Sequence, residues 1–148
     1  MYRIRFMSPG KEALLPMPDQ EKLPETKILV VEDNDFVRMQ ICRYLTDAGY
    51  IVIEAQDGSR GLSALTIGVA LVIVDIRMAP IDGFEFIKAV RGRQPNIPLI
   101  LVTGDQNPDL LNEASKWSVS AVLIKPVERD RLINMVARAI DKKASRAS

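Results

Sequence analysis

The sequence predicts a doubly wound α/β domain, with one five-stranded parallel sheet in the order 2-1-3-4-5 and helices on both of its faces. Three observations point there. Short, unbroken Val/Ile/Leu runs recur along the chain, as expected of strands buried on both sides. The segments between them space their apolar residues three and four apart, the mark of helices with one buried face. Five such strand–helix pairs fit within residues 28–140 of a 148-residue chain, a size that suits a flavodoxin-like fold with five helices.

Each element follows from local patterning. Ile28–Glu32 is an apolar run ending in acids. In Asn34–Ala48 the period changes: Phe36, Met39, Ile41, Tyr44, Leu45 and Ala48 predict a helix with that face buried, capped by Asp33 or Asn34 and closed by Gly49. Tyr50–Ala55 reads as the second strand, Asp57-Gly58-Ser59 as a turn, and Ser59–Ile67 as a short helix. Val69–Asp75 is a wholly apolar strand until its final acid. After the turn Pro80–Gly83 comes a helix over Phe84–Arg93, with Phe84, Ile87 and Val90 on one face. Ile97–Val102 is the fourth strand, Pro108–Lys116 a helix with Pro in its first turn, and Ser120–Ile124 the fifth strand. Leu132, Ile133, Val136 and Ile140 mark the last helix, Glu128–Ile140.

Composition narrows the chemistry. The chain has 20 basic and 19 acidic residues, no His and a single Cys. The near-neutral balance argues against a nucleic-acid or polybasic membrane module. Without His and with one Cys there is no disulfide, no ordinary zinc site and no Ser-His-Asp or Cys-His enzyme. A metal site must be built from oxygens, which favours Mg²⁺, Mn²⁺ or Ca²⁺. Cys42 falls inside a helical pattern and reads as a small buried hydrophobe. No signal peptide or membrane span is evident, so a cytoplasmic protein is expected. Residues 1–27 hold Pro9, Pro16, Pro18 and Pro24 and read as a flexible leader, with a docking arm as the alternative. The domain is expected over 28–141, followed by a flexible tail, 142–148. No output domain is expected after it.

In such a sheet the site forms beyond the C-terminal ends of the strands. There the sequence places Glu32 and Asp33 after the first strand, Asp75 at the end of the third, Thr103 after the fourth and Lys125 after the fifth. One of these acids could be a helix cap; all five polar groups at one edge need another reason. Three carboxylates in one pocket repel each other and call for a cation or a proton. Hard Mg²⁺, keeping some waters and an open position, fits an all-oxygen set. Asp75, on the central strand, is the carboxylate best placed as a nucleophile towards a phosphoryl group. Thr103 and Lys125 would meet the phosphoryl oxygens. No G-x-G-x-x-G or P-loop pattern is present, which weakens a nucleotide-binding reading, and the small domain leaves little room for a glycosidase groove.

The motifs ILVVEDN (28–34), VIVDIRM (72–78), Asp82-Gly83, LVTG (101–104) and LIKP (123–126) together resemble the receiver domain of two-component response regulators, of the single-domain type, over about residues 27–141. The resemblance implies that Asp75 is the phosphoacceptor and takes its phosphoryl group from a sensor histidine kinase or a histidine phosphotransfer protein. It implies Mg²⁺ held by Glu32, Asp33, Asp75 and the backbone carbonyl of Arg77, with Thr103 and Lys125 at the phosphoryl group and a cis Lys125–Pro126 bond. It implies no enzyme activity beyond self-phosphorylation from a phosphodonor and autodephosphorylation.

Four positions depart from the family pattern. The acidic pair is Glu-Asp rather than Asp-Asp. Ala79 stands where Pro is usual, with Pro80 one later. Val122 replaces the usual aromatic switch residue. Ser118-Val119, preceded by Trp117, replaces a Gly-Ala turn. Arg77 and Asp105 are expected to flank the path of attacking water and modulate hydrolysis. Trp117 is either an anchor on the last helix–strand–helix face, for a homodimer or a target protein, or a plug beneath the sheet. Two other functions stand beside the phosphoacceptor: a pseudo-receiver that never cycles phosphate, and a phosphate sink.

Overall fold

The computed structural model describes residues 25–66, 68–77, 82–104 and 107–147. Its strands are β1 (Lys27–Val31), β2 (Ile51–Ala55), β3 (Val69–Asp75), β4 (Leu99–Thr103) and β5 (Ala121–Ile124). The helices are α1 (Asp35–Asp47), α2 (Gly58–Ala64), α3 (Gly83–Arg93), α4 (Pro108–Lys116) and α5 (Arg129–Ala147). All strand pairs are parallel and the order is β2-β1-β3-β4-β5, as the sequence predicts.

Strand alternation divides the core into two layers. Leu29 and Val31 of β1, Val72 and Val74 of β3, and Leu99 and Leu101 of β4 pack with Phe86, Ile87 and Val90 of α3 and Ala114 of α4. Ile28, Val30, Leu71, Ile73, Ile100 and Val102 turn to the opposite face, against Ile41, Cys42 and Leu45 of α1 and Leu132 and Val136 of α5. Residues at successive positions point to opposite faces, so an apolar run with no alternation needs helices on both sides. Each fully buried large side chain, such as Phe86, contributes about 1.5–3 kcal/mol by leaving water.

Three expectations need correction. The buried face of α1 is Arg38, Ile41, Cys42 and Leu45, whereas Phe36 and Met39 are 72% and 62% exposed. The stripe is rotated because a charged residue, Arg38, holds a position that periodicity alone assigns to an apolar one. The last helix continues through Ala147, so residues 142–147 are helical where a flexible tail was expected. Asp141–Ala147 contains no Gly or Pro and is rich in Ala, Lys and Arg, which propagate a helix well. At the other end, Lys27 opens β1 and the carbonyl of Thr26 accepts from the Ile51 N–H at 2.9 Å, so the last residues assigned to the leader join the sheet. Residues 1–24 lie outside the described ones.

Among the described residues, no helix is long and apolar enough to cross a membrane.

Candidate functional site

Register brings the site together. Val31 of β1 pairs with Val74 of β3, so Glu32 emerges beside Asp75. Asp75 pairs with Val102, which puts Thr103 next to it in the adjoining strand. Thr103 pairs with Ile124, and Lys125 follows, its N–H donating to the Thr103 carbonyl at 2.8 Å. Three crossovers thus deliver residues far apart in sequence to one edge.

Glu32, Asp33 and Asp75 each offer a carboxylate oxygen within 4.8 Å of the others. Glu32, Asp75 and Thr103 are buried, while Asp33 is exposed at the mouth. Lys125 Nζ lies 3.4 Å from Glu32 Oε1 and 3.5 Å from Asp75 Oδ1, and so bridges the two buried acids. The Asn34 N–H donates to Glu32 Oε2 at 3.2 Å, while its side chain caps α1 by accepting from the Val37 N–H. The Arg77 N–H donates to Asp75 Oδ1 at 3.3 Å. The Lys125–Pro126 bond is cis.

The pocket carries more negative charge than its one lysine offsets. Burial, and then the nearby Asp75 charge, push the Glu32 carboxyl up to about 7, against the opposing pull of the Asn34 N–H and Lys125. Glu32 Oε1 is buried and has no hydrogen-bond donor, only the lysine at ion-pair distance. A buried carboxylate oxygen left in this state costs free energy, and a hard dication with oxygen preference would relieve it. The donor set, three carboxylates with neither nitrogen nor sulfur, therefore fits Mg²⁺.

Not every residue singled out in the sequence converges here. Asp105 and the turn residues Ala79 and Pro80 lie outside the described residues. Arg77 is present through its main chain, with its side chain exposed. Val122 is half-buried on β5, paired with Leu101 and packed on the α3–α4 layer. Trp117 is also half-buried against that layer. Its ring lies 5.7 Å from Lys88 Nζ, its Nε1 donates to Glu113, and its carbonyl accepts from Arg91 Nε. These contacts tie the ring to α3 and α4 and leave it partly exposed. Patterning missed Arg38, a buried cation bonded to the Glu32 carbonyl at 2.8 Å. Its spacing of three, four and seven residues from Ile41, Cys42 and Leu45 was the available signal.

The model of the response regulator receiver domain matches residues 28–137. This chain belongs to the response regulator receiver family. The receiver is 35% identical over 125 residues to the CAI-1 autoinducer sensor kinase/phosphatase CqsS of Vibrio cholerae, covering 82% of this chain and 18% of that one. It is 27% identical over 118 residues to the chemotaxis protein CheY of Treponema pallidum, covering 77% and 82%. Among solved structures, Vibrio cholerae CheY4 superposes with a TM-score of 0.74 at 30% identity, over 78% of this receiver and 98% of CheY4. The chain spans less than a third of the length of several curated relatives, including CqsS and the transcriptional regulatory protein GlrR of Escherichia coli. As a receiver domain it is a module of two-component signalling.

Proposed function

We propose that this receiver accepts a phosphoryl group on Asp75 with Mg²⁺ bound, and signals through protein contacts that depend on that modification. The observation that carries the reading is the Lys125 ammonium set between Glu32 and Asp75 in a pocket whose carboxylates still outnumber it. Glu32, Asp33 and Asp75, with the Arg77 carbonyl, would hold the cation. When bound, Mg²⁺ would neutralise charge on the transferring phosphoryl group and help position it.

The chain's own residues do the rest. An Asp75 carboxylate oxygen forms the bond to phosphorus as the phosphorus–nitrogen bond of a donor phosphohistidine breaks, and the electron pair leaves on the imidazole. That donor is a sensor histidine kinase or a histidine phosphotransfer protein. Lys125 would then pair with a phosphoryl oxygen, and the Thr103 hydroxyl would donate to another. New charge at the strand edge would reorganise the loops after β3 and β4, which is how such a modification alters a surface. The complete set of acids, hydroxyl and ammonium favours this reading over a pseudo-receiver, in spite of Val122 at the usual switch position. Incubation with Mg²⁺ and acetyl phosphate is expected to add the mass of one phosphoryl group to the wild type and none to Asp75→Asn. A wild type that gains no mass would instead support the pseudo-receiver.

A further inference from the structure

Four polar side chains are buried among the described residues: Glu32, Asp75, Thr103 and Arg38. The first three belong to the pocket. Arg38 is the only cation of the four, and it lies on the sheet-facing side of α1, where an apolar residue would pack at lower cost. Removing a guanidinium from water costs several kcal/mol unless each of its donors is matched.

Here all three of its nitrogens donate, each to a different acceptor. Nε donates to Glu54 Oε1 of β2 at 3.1 Å, Nη2 to Asp35 Oδ1 in the first turn of α1 at 2.7 Å, and Nη1 to the main-chain carbonyl of Glu32 at 2.8 Å. The Glu32 N–H is tied separately to the Ala55 carbonyl at 3.1 Å. Both main-chain groups of Glu32 are therefore anchored towards β2, one directly and one through Arg38. Those two ties fix the direction in which the chain leaves β1, and with it the placement of the Glu32 and Asp33 carboxylates.

We propose that Arg38 is the positioning residue of the acidic pocket: its rigid three-way fork holds the Glu32 carbonyl against β2 and the start of α1, and so sets the affinity of the site for a divalent cation. The proposal rests on the reading of the pocket as a cation site. Its sign separates it from a plain charge effect. A positive charge near the pocket would oppose a second cation, so if charge were the whole role, neutralising Arg38 would tighten binding. If placement is the role, neutralising it weakens binding, and Lys fails to rescue because a single ammonium cannot reproduce the fork.

The test is direct Mn²⁺ binding to the whole metal-free chain at pH 8, read from the electron paramagnetic resonance signal of free Mn²⁺. Thermal melts in chelator establish that each variant is folded. Arg38→Met and Arg38→Lys are each expected to weaken binding about tenfold or more, as loss of a group that orients a metal ligand does. Glu54→Ala, which removes one exposed anchor of the fork, is expected to give a smaller loss in the same direction. Should Arg38→Met fail to fold, Arg38→Lys decides. Unchanged or tighter binding in a folded Arg38 variant, while the wild type binds Mn²⁺, would overturn the positioning role and leave the phosphoacceptor reading standing. A wild type that binds no Mn²⁺ would overturn both.

Discussion

Glu32 is the residue at which burial and charge meet most sharply. Its carboxyl titrates near 4.5 in the unfolded chain and at about 7 in the fold, with burial as the main cause. Between those values the folded, metal-free protein keeps a proton that the unfolded chain has released. Stability from this group is therefore full below about pH 4.5, falls as pH rises towards 7, and is flat above. Glu32→Gln is expected to remove that slope. In chelator at pH 8 the variant should be more stable than the wild type by about 1–3 kcal/mol, with the difference vanishing near pH 4.5. Urea denaturation across that range checks it. Mg²⁺ must displace the same proton, so the rise in melting temperature on adding Mg²⁺ to the wild type should be larger at pH 8 than at pH 5.5, and small in Glu32→Gln at both.

At the scale of elements, the junction between β3 and α3 depends on close approach. A Cβ on Gly83 would lie 2.5 Å from Ile76 Cα and 2.6 Å from the Asp75 carbonyl oxygen, both rigid main-chain atoms. The Gly83 N–H donates to the Ile76 carbonyl at 2.9 Å. In an open helix, Gly→Ala stabilises by roughly 0.5–1 kcal/mol. Here Gly83→Ala is expected to reverse the sign, costing about 1–3 kcal/mol in urea denaturation and weakening cation binding as the end of β3 shifts. The turn after α4 shows the opposite case. Ser118 sits at φ 56°, in the left-handed region, where the family pattern has Gly. Ser118→Gly is expected to stabilise by about 0.5–1 kcal/mol, measured as a higher urea midpoint with unchanged slope. The same scale explains what patterning misread. Phe36 and Met39 are apolar and correctly spaced, yet exposed, because the α1 face nearest the sheet includes a charged side chain whose partners, Glu54 and the Glu32 carbonyl, lie beyond local sequence.

For the whole molecule, sheet order and the meeting of the pocket's polar residues at one edge were legible because both follow from strand hydrophobicity and from the polar residue that ends each strand. Glu32, Asp33, Asp75, Thr103 and Lys125 needed only the order 2-1-3-4-5 to meet at one edge. The bridging of two acids by Lys125 was not legible, since it depends on side-chain reach across the β1–β3–β4–β5 register. Nor was the continuation of α5 to Ala147, since a polar stretch rich in Lys and Ala reads alike as tail or as solvated helix. The role of Arg38 depends on two acceptors outside its own helix, Glu54 and the Glu32 carbonyl, which no periodicity displays.

The central claim is that Asp75, and no other carboxylate of this pocket, is the phosphoacceptor. The most direct measurement is to treat the full chain with acetyl phosphate and Mg²⁺, reduce the acyl phosphate with borohydride, and locate the resulting homoserine by peptide mass spectrometry. The account predicts homoserine at position 75 alone, lost when Mg²⁺ is chelated. Modification at Asp33 with Asp75 intact, or none anywhere in a folded, Mg²⁺-bound protein, would contradict it.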